Sequence, residues 1–110
     1  MPAIAIHPGE HLAEELDALD MSAAELARRL KVPINRLTAI LNGQRAITGD
    51  TALRLAHFFG TSPQFWLNLQ SLYELRLAAD KHGRAIKNLP TLRRPTEVRS
   101  ASAGPRLAVV

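Results

Sequence analysis

Apolar residues recur at helical spacing through the first two thirds of the chain. Leu12, Leu16 and Leu19 follow at i, i+4 and i+7, which places them on one face of a helix predicted over Pro8–Leu19. Ser22-Ala-Ala-Glu25 then has the form of a capping box, with the Ser22 hydroxyl and the Glu25 carboxylate satisfying free backbone N–H groups. The helix it opens turns Leu26, Ala27 and Leu30 inward and ends near Lys31. Pro33 suits the first turn of a third helix, where its missing N–H is not needed. That helix reaches Leu41 and stops at Asn42-Gly43, because glycine takes the left-handed conformation cheaply. Thr48 to Asp50 begin a fourth helix, with Ala52, Leu55, Ala56 and Phe59 as its apolar side and Gly60 as its stop. Ser62-Pro63 opens a long fifth helix through about Ala79. Residues 8–79 contain no sustained period-2 alternation, so the expected fold class is all-α with five helices.

Beyond Asp80 the character changes. Gly83, Pro90, Pro95, Gly104 and Pro105 interrupt a basic, sparsely apolar segment. The expectation is therefore a helical domain over 1–79 and a flexible basic tail over 80–110. The apolar end, Leu107 to Val110, reads as a frayed terminus or as a strand added to a partner.

Composition narrows the function classes. At 110 residues, with 46% apolar residues, the chain is one domain with enough apolar side chain for a packed core. No run approaches the roughly 18 apolar residues of a membrane span. Met1 to His7 lacks the basic start of a signal peptide. The absence of cysteine removes disulfides, thiolate metal sites and thiol nucleophiles together. A cytoplasmic protein is expected, and no pattern calls for a cofactor.

The net charge of +4 conceals an asymmetry. Residues 1–20 carry five acids and no Lys or Arg, residues 21–60 carry a net +4, residues 61–79 balance, and residues 80–110 carry a net +5. A split of this kind suits two partners of opposite charge, with a polyphosphate matching the basic part; ordinary surface solvation gives the same composition.

Two short helices joined by a tight corner form a helix-turn-helix, in which the second helix enters the major groove and the first braces it. On the second, Leu37, Ile40 and Leu41 cluster on one side with Ile34 at the edge. Asn35 and Ala39 face the other way, flanked by Arg36 and Thr38. Asparagine can bond an adenine edge twice, arginine can bond guanine, and a Thr or Ile methyl can pack against thymine. Ile34, Asn35, Arg36, Thr38 and Ala39 are therefore the candidate base readers, with Ala39 small enough for close approach. Ser22, Asn42, Gln44, Arg45 and Thr48, at helix starts and in the following loop, are candidate phosphate contacts. An ordinary helical bundle with a polar surface helix would share this spacing.

A set of local motifs goes further. His7-Pro-Gly-Glu10, Ala24-Glu-Leu-Ala27, Asn42-Gly43, Ile47-Thr-Gly-Asp-Thr-Ala-Leu-Arg-Leu55, Phe59-Gly60 and Ser62-Pro-Gln-Phe-Trp-Leu-Asn-Leu-Gln70 together resemble the HigA antitoxins. These are Cro/repressor-like (XRE-like) helix-turn-helix proteins, and the resemblance covers roughly residues 7–79. It implies a five-helix repressor-like domain, a homodimer on an operator of two half-sites, repression of its own operon, and a HigB-like ribonuclease toxin of RelE-like fold as partner. It says little of residues 80–110.

Two features bear on the implied partners. The fifth helix is apolar around its circumference, with Phe65, Leu69 and Leu72 in one stripe and Trp66, Tyr73 and Leu77 in a second. Such a helix is buried on more than one side, so Phe65, Trp66, Leu69, Leu72 and Tyr73 are candidate dimer contacts, unless all are buried internally. On the first helix Glu10, Glu14 and Asp17 align opposite the leucine stripe. Like charges at that spacing cost a few tenths of a kcal/mol per pair. The stripe is either a docking face for a basic toxin or a solvated surface.

His7-Pro-Gly-Glu-His11 also spells the zinc-peptidase pattern H-x-x-E-H. Pro8 and Gly9 belong at a helix entrance rather than within an established turn, and no acidic third-ligand motif follows, so no enzyme is expected. A stand-alone helix-turn-helix regulator would share the same DNA face, and a pure protein-interaction module would lack salt-dependent DNA binding.

Overall fold

A computed structural model of the protein describes residues 4–93. Its five helices are α1 (Pro8–Leu19), α2 (Ala23–Leu30), α3 (Ile34–Leu41), α4 (Gly49–Phe59) and α5 (Pro63–Lys87), with no strand among the described residues. No helix there is long and apolar enough to cross a membrane.

Local chemistry sets most of the boundaries. His7 caps α1, its Nδ1 accepting the Gly9 N–H at 2.8 Å. Ser22 and Ser62 cap α2 and α5 by accepting the N–H groups of Glu25 and Phe65, each at 3.1 Å. The Ser22 box is half formed, because the Glu25 carboxylate turns to Arg28 and Arg29 instead. Pro33 stands at the N-cap of α3 rather than in its first turn. Gly60, left-handed at φ 75°, ends α4. Non-glycine residues take that region at Asp20 and Lys31, where α1 and α2 end.

The core is one cluster drawn from all five helices: Leu12 and Leu16, Leu26, Ala27 and Leu30, Leu37 and Ile40, then Ala52, Leu55 and Ala56, closed by Trp66. Ile47 joins it from the loop before α4. Leu19, the last member of the α1 stripe, is half exposed, because the chain turns away at Asp20 before its side chain meets a neighbour. Gly9 is required where α1 crosses α3, since a Cβ there would collide with the Ile40 carbonyl oxygen. That crossing holds the C-terminal end of α3 against the start of α1.

The fifth helix departs from expectation in two ways. It runs past Ala79 to Lys87, straight through Gly83. A lone helical glycine costs only about 1 kcal/mol, which the good helix formers around it offset. Its core contacts are confined to its first turns: Trp66 and Gln70 are buried, and Phe65, Leu67 and Leu69 pack beside them. Further along, Leu72, Leu75, Leu77 and Ile86 are exposed. Residues 94–110, including the expected terminal strand or frayed end Leu107–Val110, lie outside the described residues.

Candidate nucleic-acid interface

The outward side of α3 follows from how its inner side is anchored. Leu37 and Ile40 are fully buried, which turns Asn35 to solvent and leaves Arg36, Thr38 and Ala39 half-buried along its flanks. Ile34 stands exposed at the edge. Thr38 donates its hydroxyl to the Asn35 carbonyl at 3.2 Å, which leaves its methyl and the acceptor side of its oxygen for a ligand. The five proposed base readers therefore share one surface of one short helix.

The loop after α3 turns back at once. The N–H groups of Asn42, Gly43 and Gln44 return to the carbonyls of Thr38, Ile40 and Ala39, and Gly43 takes φ 75° to allow it. Asn42, Gln44 and Arg45 are exposed, and Arg45 makes no ion pair among the described residues. Thr48 is exposed at the N-cap of α4, its hydroxyl 3.5 Å from that of Thr51 and making no cap bond. The N–H groups at the start of α4 are thus open to a phosphate oxygen. Ser22 is exposed too; its oxygen accepts the Glu25 N–H in capping α2, and its O–H remains a donor for a phosphate oxygen.

Two acids shape the field around these cations. Asp50, in the first turn of α4, accepts Arg36 Nη1 at 2.6 Å and Arg54 Nε at 3.0 Å. Those two guanidinium groups, Arg36 first, hold its carboxyl below the usual aspartate range. Arg54 also donates to the Leu30 carbonyl at 2.8 Å, satisfying a free carbonyl at the end of α2. Glu25 is likewise held low, chiefly by its bond to Arg28 and then by Arg29. Arg36 is therefore not a free cation, and that pairing, which spans two helices, had no local signature in the sequence.

Beneath the loop lies His7. It is buried, its ring meeting Tyr73 edge-on at 4.8 Å and lying within 4 Å of where a Cβ on Gly43 would stand. Burial pushes its pKa below the usual histidine value, against smaller opposing effects from the Arg45 backbone and Glu10. His11 instead lies 3.6 Å from Glu15 and against the rings of Phe65 and Trp66. The two histidines of the H-x-x-E-H pattern thus have separate packing roles, and no metal-binding group of three or more His, Cys, Asp or Glu forms among the described residues.

The dimer and toxin candidates divide. Trp66 is 1% exposed and donates its indole N–H to Thr61 Oγ1 at 2.9 Å, so it fills the protomer's own core and is not available to a second copy. It belongs to the inner side of α5, which a helical wheel does not distinguish from an equally apolar outer side. Phe65, Leu69 and Tyr73 are half-buried, and Leu72 is exposed. Glu10, Glu14 and Asp17 are exposed together on α1, opposite the buried Leu12 and Leu16. Gln70 is a structural residue that sequence reasoning missed: buried, it accepts the Ile47 N–H at 2.8 Å and donates to Glu74 at 2.9 Å. Its place three residues after Leu67 and one after Leu69 gave only the faint signal of a polar residue among apolar ones.

Comparison with known proteins matches residues 12–66 to the helix-turn-helix family HTH_3. Among solved structures, an addiction module antidote protein of the HigA family from Coxiella burnetii shares 59% identity over 83% of this chain and 100% of its own, with a TM-score of 0.81. The chain belongs to the HigA family of helix-turn-helix proteins. Pseudomonas aeruginosa antitoxin HigA, solved with the higBA promoter, is 44% identical over 82% of this chain and 100% of its own, with a TM-score of 0.78. Virulence-associated protein I of Dichelobacter nodosus is 51% identical over 79 residues, 71% of each chain. The likeness to these two HigA structures covers more than four fifths of this chain.

Proposed function

We propose that this protein is a HigA antitoxin that binds operator DNA, represses its own operon and neutralises a HigB-like ribonuclease toxin of RelE-like fold. The observation that carries the reading is the outward face of α3, where Asn35, Arg36, Thr38 and Ala39 present base-reading groups on a helix whose other side is locked into the core. A relative of the same fold was solved with its promoter DNA, which supports the same use of that surface here. Asn35 and Arg36 read base edges; Arg45, Gln44, Asn42 and the start of α4 hold phosphates.

A repressor of this kind acts as a homodimer on two half-sites spaced by about 34–36 Å or a multiple. The exposed Leu72 and Leu75 on α5, next to half-buried Leu69 and Tyr73, supply the apolar surface for the second copy. The Glu10, Glu14 and Asp17 stripe on α1 supplies the acidic face for a basic toxin, with an effect on association rate more than on final affinity. The helical unit runs through α5 to Lys87, and the sequence beyond it is basic. The work is done in the cytoplasm, where the operon is.

Co-expression with a HigB-like ribonuclease toxin, sought first among the reading frames beside the gene, together with gel-shift measurements on the gene's own upstream region, tests the proposal. The expected result is relief of toxicity, co-purification and a shift abolished by Asn35→Ala. A shift with no toxin rescue would leave a stand-alone regulator; rescue with no shift would remove the DNA-binding half.

A further inference from the structure

The Arg36–Asp50 pair is unusual in where it sits. Arg36 lies on the outer flank of α3, yet one of its nitrogens is held at 2.6 Å by an acid fourteen residues away on α4. The same carboxylate oxygen holds Arg54 at 3.0 Å, and Arg54 in turn holds the last carbonyl of α2 at 2.8 Å. One acid thus connects both helices of the helix-turn-helix to the start of α4. An acid beside a DNA surface repels phosphate, so its presence there requires an offsetting role. Two guanidinium groups leave this cluster with a net positive charge, and Arg36 makes no other side-chain bond among the described residues.

A guanidinium carries five N–H donors in a rigid fork. Binding one nitrogen to Asp50 restricts where the fork can lie and leaves the donors on its other nitrogens free. A long side chain that would otherwise sample many rotamers is oriented before DNA arrives. Arg45, in the loop beyond the other end of α3, has no such restraint. Phosphates can be met from many directions, but a guanine edge accepts a fork in one plane only.

We infer that Asp50 is a positioning residue for base recognition, which aims the Arg36 guanidinium at one base pair and so sets operator specificity without touching DNA. This rests on the reading of α3 as the groove-binding helix. The low carboxyl pKa imposed by the two arginines keeps Asp50 charged through the neutral range.

The test uses the full chain and a duplex chosen by the wild-type protein from a randomised library, together with every single-base-pair variant of that duplex. Affinities are measured for wild type, Asp50→Asn, Arg36→Ala, the double variant and Asp50→Glu, with thermal melts alongside. Arg36→Ala is expected to lower discrimination at one guanine-containing pair by about tenfold. Asp50→Asn is expected to lower it at that same pair, the double variant no further, and Asp50→Glu to retain most of it. A loss from Asp50→Asn spread evenly over all base pairs, or single effects that multiply in the double variant, would overturn the inference. Asn35→Ala separates this from the underlying reading. If Asn35→Ala weakens binding while Asp50→Asn changes no preference, α3 still reads the groove and the positioning role alone falls. If neither Asn35→Ala nor Arg36→Ala alters binding, the groove reading falls and the positioning role with it.

Discussion

Around α3, Arg36, Asp50, Arg54 and the end of α2 are linked by a chain of polar bonds. Along the outer half of α5, by contrast, Leu72 and Leu75 stand 57% and 65% exposed among the described residues. On the proposed reading, the two regions prepare one small fold for two kinds of partner. A surface meant for base edges gains from polar groups whose directions are set in advance, because a misaligned hydrogen bond is worth little. A surface meant for another protein gains from apolar area left open, because burial is not directional. Trp66 marks the border: on the same helix as Leu72, it is wholly inside.

That contrast can be broken first at Trp66. Trp66→Ala should cost about 3–5 kcal/mol of protomer stability, read as a loss of denaturation midpoint. Retained stability together with loss of self-association would return Trp66 to the interface. Leu72→Glu with Leu75→Glu should do the opposite, giving monomers by light scattering at micromolar concentration while the helical circular dichroism is kept. A variant pair that stays dimeric would remove the outer half of α5 from the interface.

How much of this was legible varied with the range of the forces involved. The start of α1 and the end of α4 follow from Pro8 and Gly60, each acting within a turn of its own position. The face of α3 follows from the spacing of Leu37 and Ile40. What escaped was set by contacts distant in sequence. Asp50 meets Arg36 across fourteen residues and Gln70 meets Ile47 across twenty-three, and no periodicity records either. Trp66 and Leu72 are both apolar on one helix, and only the packing of the other helices decides which is inside. Gly83 has the look of a stop, but the helical preferences on both sides carry α5 through it.

A smaller effect is expected at Gln70, one of those distant contacts. Gln70→Ala would leave the buried Ile47 N–H without its acceptor, at a cost of about 1–3 kcal/mol. Gln70→Glu, which keeps the acceptor, should recover part of the loss in the same melts. Equal stability of Gln70→Ala and wild type would mean that water or a shifted loop replaces the bond.

The smallest effect is the pH response of His7. Its folded pKa lies below the unfolded value of 6.5, so both states are neutral well above that pH and the stability is fully present there. As pH falls below 6.5 the unfolded chain takes up the proton first, and stability declines until the folded pKa is passed. His7→Asn keeps a helix-capping residue but not the titration. The difference between wild type and His7→Asn should therefore shrink as the solution is acidified, and a constant difference would show that burial of His7 does not control it.

The direct test of the account is the salt dependence of operator binding for Asn35→Ala and Arg45→Ala side by side. Asn35→Ala should cost about 1–3 kcal/mol on the preferred duplex and little on unrelated DNA, with the slope of log K against log salt unchanged. Arg45→Ala should weaken all duplexes alike and reduce that slope by about one unit. If Asn35→Ala leaves the preferred duplex bound as tightly as before, α3 does not read the major groove and the account fails at its centre.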